Sequence, residues 1–277
     1  MKMKKRFSSR RGIYLLPNLL TTAGLFAGFY AVVASMQGRF EYAAIAIFIA
    51  MIMDGLDGRM ARMANAQSDF GAEYDSMADM VSFGIAPALV IYNWALSDLG
   101  KFGWLATFVY VVAAALRLAR FNTQVETADK RYFQGLASPS AAAILAGLVW
   151  LGAEYQWQAG AYGVYIGILT IVTGLLMVSN FRYSSFKEVK WKEKVPFIGM
   201  LVVVLLFILI ASEPPLVLFV GFGIYALSGP LMTVWRIKDI RAERKQRQLE
   251  MGADSTAETE RVDGPDVNGS ETDKSKE

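Results

Sequence analysis

The chain has 277 residues, 54% of them hydrophobic, and a formal net charge of +3; its mean hydropathy of +0.33 is too high for an ordinary soluble domain and points to a membrane protein. It contains no cysteine and no histidine, which excludes disulfides, thiolate nucleophiles, zinc–thiolate centres and histidine bases. A general base must then be a carboxylate, Lys, Tyr or water, and any metal site must be built from oxygen ligands, which favours Mg²⁺, Mn²⁺ or Ca²⁺.

Crossing a hydrocarbon core takes roughly 20 apolar residues per helix, and about eight stretches qualify. They lie near 13–36, 41–63, 76–97, 102–121, 138–153, 161–180, 195–212 and 215–235, the fifth being short and rich in small residues. The basic start, MKMKKRFSSRR, has the look of a secretory n-region. The apolar stretch after it runs about 25 residues without a convincing cleavage site, so it reads as a retained transmembrane helix. Lys and Arg gather in alternate loops: before the first helix, then at Arg59 and Arg62, at Arg117, Arg120, Lys130 and Arg131, at Arg182 to Lys194, and after Arg236. The opposite loops carry only Arg39 and Lys101. The expected fold is therefore an all-α polytopic membrane helix bundle of about eight helices with both termini cytoplasmic. RIKDIRAERKQR, just after the last helix, reads as a topology signal and surface anchor. From about residue 248 the chain is polar and mostly acidic, and a disordered tail is expected. No nucleic-acid partner is expected.

Between Met53 and Gly84 six acids interrupt this apolar pattern: Asp54, Asp57, Asp69, Glu73, Asp75 and Asp79. At about 100° per residue, Asp54, Asp57, Gly58, Ala61 and Arg62 share one face of the second helix. Gly58 and Ala61 are small enough to let a ligand approach, and Arg62 offers a fork of donors to a phosphate. Asp75 and Asp79 are spaced i,i+4 on the next helix, with Gly71 one turn earlier on the same face. A helix hairpin brings four carboxylates together, at a desolvation cost of several kcal/mol each unless a cation compensates. Arg59 and Arg62 cannot neutralise four spaced acids. One or two hard divalent ions can, and a pair would form a clamp suited to phosphoryl transfer. A calcium-binding EF-hand loop is a poorer reading, because the acids of DGLDG are three apart.

DGLDGRMAR, eight intervening residues and GAEYDSMAD have the form DxxDGxxAR(x8)GxxxDxxxD. This pattern resembles the signature of the CDP-alcohol phosphatidyltransferase family at all eight of its fixed positions. The resemblance implies a helical membrane enzyme that binds a CDP-linked lipid and two divalent ions, Mg²⁺ or Mn²⁺, at the cytoplasmic end of its helices. Asp54, Asp57, Asp75 and Asp79 would form the metal site, with Asp79 also the general base. Gly58 and Arg62 would bind the CDP diphosphate, with Ser68, Ala61 and Gly71 beside it, and Asn18, in LLPNLLTT, within reach of the nucleotide. A homodimer is implied. On this reading, residues 1–12 are a basic cytoplasmic N-terminus and 13–190 the catalytic membrane domain. Two further helices follow at 191–236, and 237–277 is the basic, then acidic tail.

SFGIAPA, RLARFN, FQGLASPSAA and SSFK further along are similar to the phosphatidylserine synthase branch, although Ala137 stands where many relatives have Pro. That branch implies CDP-diacylglycerol and L-serine as substrates. A serine zwitterion needs a cation for its carboxylate and acceptors for its ammonium; Arg117, Arg120, Asn122, Ser82, Gln134 and Ser138 are the candidates. Another acceptor alcohol, such as glycerol 3-phosphate, inositol or inositol phosphate, is the alternative within the family. An ion-coupled transporter or channel is the alternative outside it, and it predicts acids spread over several helices rather than one hairpin.

Overall fold

The computed structural model describes residues 9–63, 68–124, 132–184 and 197–233. The expected acidic tail, most basic residues of the later loops and the turn at 64–67 lie outside them. The bundle belongs to a unit running to Pro230; of the second unit, Leu231–Glu277, only 231–233 are described.

Two helices, α1 (Ser9–Met36) and α2 (Phe40–Met63), form a hairpin. Gly38 closes α1 at φ +74°, the left-handed conformation that glycine adopts without strain, and its N–H donates to the Ser35 carbonyl. Ala27, Ala31 and Ala34 of α1 and Ala43, Ala44, Ala46 and Ala50 of α2 are all buried. Small side chains on both partners let the backbones approach closely, the usual means of joining helices in lipid.

α3 (Asp69–Leu99) is continuous but not uniform. It is α-helical to Asp79, π-helical over Met80–Ile85, α-helical to Ile91 and π-helical again over Tyr92–Leu96. Pro87 accounts for part of this, since its ring has no N–H to offer the Phe83 carbonyl one turn earlier. Tyr110 of α4 (Lys101–Gln124) supplies the missing donor through its hydroxyl, 3.0 Å from that carbonyl. α1 and α3 meet where Gly28 faces Ser82; a Cβ on Gly28 would stand 2.8 Å from the Ser82 Cα.

α5 (Ser138–Glu154) is the core helix. Residues Ala141 to Val149 are buried without interruption, so it is apolar on every side because protein surrounds it. The shortness and small side chains noted in the sequence reflect that position. α6 (Gly163–Val178) packs along α4, and β1 (Tyr132–Gln134) pairs antiparallel with β2 (Arg182–Ser184), Phe133 opposite Tyr183. These two short strands leave the fold all-helical in class, as expected; three residues are too few to show an alternating pattern. Tyr183 is fully buried and donates to the Ala226 carbonyl in α8 (Pro214–Thr233), the helix that follows α7 (Phe197–Ser212). Burial pushes the Tyr183 phenol up to about 12, which keeps it a donor at neutral pH.

Among the described residues five helical segments are long and apolar enough to cross a membrane: Leu16–Met36, Asp69–Leu99, Lys101–Thr123, Ala159–Val178 and Pro214–Thr233. Ser138–Glu154 and Gly199–Ser212 are apolar but shorter. The second half of α2 carries Asp54, Asp57, Arg59 and Arg62, so that helix is set apart by charge rather than by length.

Candidate active site

The site lies where the second half of α2, the start of α3 and the N-terminal part of α1 converge. Ser68 caps α3, its hydroxyl accepting from the Gly71 N–H at 3.1 Å. This sets the direction in which α3 leaves the turn and so where Asp75 and Asp79 point. One carboxylate oxygen each from Asp54, Asp57 and Asp75 lies within 4.8 Å of the other two. Asp57 is only 4% exposed, and Asp54 and Asp75 are half-buried.

That separation suits a hard cation. Oxygens bound to one ion at about 2.0–2.6 Å lie no more than about 5 Å apart, and carboxylates are the donors such ions prefer. Three carboxylates this close repel one another, and a bound cation would offset that repulsion. Asp79 is outside this trio but within electrostatic reach of all three and of Arg117.

A cavity of about 350 Å³ opens beside the acids. Its walls come from Pro17, Asn18 and Thr21 of α1, from Asp57, Gly58 and Ala61 of α2, and from Ser68, Asp69, Gly71, Ala72 and Asp75. A Cβ on Gly58 would meet nothing within 4 Å, so the glycine leaves open space, whereas one on Gly71 would approach Ser68 Oγ and Asn18 Oδ1. Six of the residues singled out from the sequence as CDP contacts or ligands therefore share a cavity wall with Asp57: Asn18, Gly58, Ala61, Ser68, Gly71 and Asp75. Arg62 is exposed, is not part of that wall and donates from Nε to its own helix at the Gly58 carbonyl. Asp54 and Asp79 line a deeper, smaller space together with Ser82.

The acceptor candidates fall at the same end of the bundle but in different settings. Arg117 donates to Ser138 Oγ, and its Nε is buried without a partner among the described residues. Arg120 donates to the Val178 carbonyl at 3.0 Å and to Asn180 Oδ1, completing the end of α6. Asn122 exchanges hydrogen bonds with Ser76, which sits between the two signature aspartates of α3. Ser82 is buried and donates to the Gly24 carbonyl, while Gln134 is exposed on β1.

The sequence reading did not single out Thr21. Its hydroxyl lies 2.6 Å from Asp57 Oδ2 and 3.1 Å from the Pro17 carbonyl. A threonine in an apolar helix gives no signal by itself; the available clue was its place one turn after Asn18 on the same face. Asp69, one of the two acids outside the signature, also lines the cavity.

Residues 14–235 match the sequence profile of the CDP-alcohol phosphatidyltransferase family, a span that takes in the acid hairpin and the last two helices. This chain belongs to that family. Several curated family members resemble it, each named CDP-diacylglycerol–serine O-phosphatidyltransferase. The Helicobacter pylori protein is 37% identical over 219 residues, covering 78% of this chain and 90% of its own. The Mycobacterium tuberculosis protein is 36% identical over 187 residues, 65% of each chain. The Bacillus subtilis protein is 33% identical over 173 residues, 62% of this chain and 92% of its own.

Proposed function

We propose that this chain transfers the phosphatidyl group of CDP-diacylglycerol to L-serine, forming phosphatidylserine and CMP. The observation that carries the chemistry is the convergence of Asp54, Asp57 and Asp75 beside a cavity walled in part by Gly58, Ala61 and Gly71 of the same signature. Serine as acceptor rests on the relatives, which share that name from the bacilli to the mycobacteria.

Asp54, Asp57, Asp75 and Asp79 are assigned as ligands of two divalent ions, Mg²⁺ or Mn²⁺. Bound there, such ions neutralise the diphosphate and the charge that develops on the leaving group. Asn18, Ser68 and Gly71 hold the nucleotide side of the CDP lipid. Gly58 and Ala61 leave room for the diphosphate, and Arg62 donates to its oxygens. Arg117 takes the serine carboxylate, with Arg120, Asn122, Ser82 and Gln134 as further polar groups around the acceptor. The serine hydroxyl oxygen forms the new bond to the phosphorus that bears diacylglycerol. Its proton passes to Asp79, and the bond from that phosphorus to CMP breaks, with CMP taking the electron pair. A carboxylate suits the role because the chain has no histidine.

The chain is assigned eight membrane spans with both termini and the site on the cytoplasmic side, following its alternating Lys and Arg, and acts as a homodimer. Residues 13–190 carry the catalytic groups. Purified protein given CDP-diacylglycerol and, in parallel, serine, glycerol 3-phosphate, inositol and inositol phosphate should release CMP fastest with serine. Preference for one of the other alcohols would keep the reaction and move the acceptor.

A further inference from the structure

Thr21 is buried, belongs to α1, and touches the acid cluster from outside the signature. Its hydroxyl has one proton and two acceptors in range, the Asp57 carboxylate at 2.6 Å and the Pro17 carbonyl at 3.1 Å. Within the helix, the Pro17 carbonyl is already the acceptor for the backbone N–H of Thr21, four residues on. The carboxylate is both nearer and charged, and a hydrogen bond to it is the stronger one. We infer that Thr21 is a positioning residue for the metal site: its hydroxyl clamps one oxygen of Asp57 and so fixes how that carboxylate is presented to a divalent ion.

Three features support this. The branched Cβ of threonine restricts χ1 in a helix, so the hydroxyl oxygen has few positions to occupy, and here it is also anchored on the Pro17 carbonyl. α1 is locked against α2 by the alanine contacts above Thr21, and Gly24, one turn further on, packs against Met53 and the Ala50 carbonyl. Thr21 also lines both the 350 Å³ cavity and the smaller space that all four aspartates line. Groups that hydrogen-bond a metal-binding side chain tune affinity by orienting it, and their loss costs about 10- to 100-fold.

The inference rests on the acid cluster being a metal site, and the test separates the two claims. Mn²⁺ binding to the full-length protein in detergent is measured by the electron paramagnetic resonance signal of free Mn²⁺, with no lipid substrate present. Wild type should bind Mn²⁺. Thr21→Val, nearly the same shape without the hydroxyl, should bind about tenfold more weakly or worse, and Thr21→Ser should stay within about threefold of wild type. If Thr21→Val does not fold, Thr21→Ala removes the same hydroxyl with less bulk and must show the same loss. Wild-type affinity in either hydroxyl-free variant overturns the inference, as does an equal loss in Thr21→Ser, which would make packing the cause. A wild-type protein that binds no Mn²⁺ overturns the metal-site reading beneath it.

Discussion

α5 and the second half of α2 each depart from what a lone membrane-crossing helix requires, for opposite reasons. α5 has 17 residues, about 25 Å of helix, and is apolar from Ala141 to Ala153. α2 has 24 residues but gathers Asp54, Asp57, Arg59 and Arg62 in its second half. Around α5 the rest of the bundle replaces lipid, so little of its surface depends on membrane thickness. In α2 the acids turn toward Asp75 and a cavity, where on the proposed reading a divalent ion rather than packing would meet their cost. One helix holds the fold together; the other uses the stability so gained to keep like charges close.

The largest effect is expected on the acid side. Asp79→Asn should lower CMP release by at least about 10²- to 10⁴-fold while leaving the melting temperature near wild type, because it removes the base and little packing. Normal turnover by that variant would rule out the assigned role. Asp75→Asn should weaken the apparent Mg²⁺ or Mn²⁺ affinity by roughly 100-fold or more, and excess metal should recover part of the activity. An activity loss with unchanged metal dependence would separate Asp75 from the ions.

On the packing side the effects should appear in stability first. A Cβ on Gly152 in α5 would stand 2.1 Å from the Trp94 ring, so Gly152→Ala should destabilise by about 1–3 kcal/mol, read as a lower melting temperature in detergent. An unchanged melting temperature would mean that α5 is less tightly enclosed than described. Tyr110→Phe leaves the Phe83 carbonyl without its donor beside Pro87 and should cost about 1–2 kcal/mol, the smallest of these changes.

The acid cluster was legible in the sequence because its chemistry is written in spacing. Three-, four- and eight-residue intervals fix which faces carry Asp54, Asp57, Gly58, Asp75 and Asp79, and no packing detail is needed to read them. Most helix positions were legible for the same reason, since apolar length is a local property. What stayed hidden depends on partners distant in the chain. Thr21 matters through Asp57, 36 residues away, and Tyr110 through the proline of another helix. Ser68, assigned to the CDP lipid by its place in the sequence, is also the cap of α3. Arg120 and Arg117 look alike in RLARFN, yet one completes α6 and the other donates to Ser138 at the start of α5. The strand pair of β1 and β2 escaped notice because three residues carry no period.

The most direct test of the central claim is the stoichiometry of products formed by the purified wild-type chain from CDP-diacylglycerol and serine, with and without a divalent ion. CMP and phosphatidylserine should appear in equal amounts, only when both serine and Mg²⁺ or Mn²⁺ are present, and chelation should stop both reversibly. CMP released without matching phosphatidylserine, or full turnover after chelation, would contradict the account.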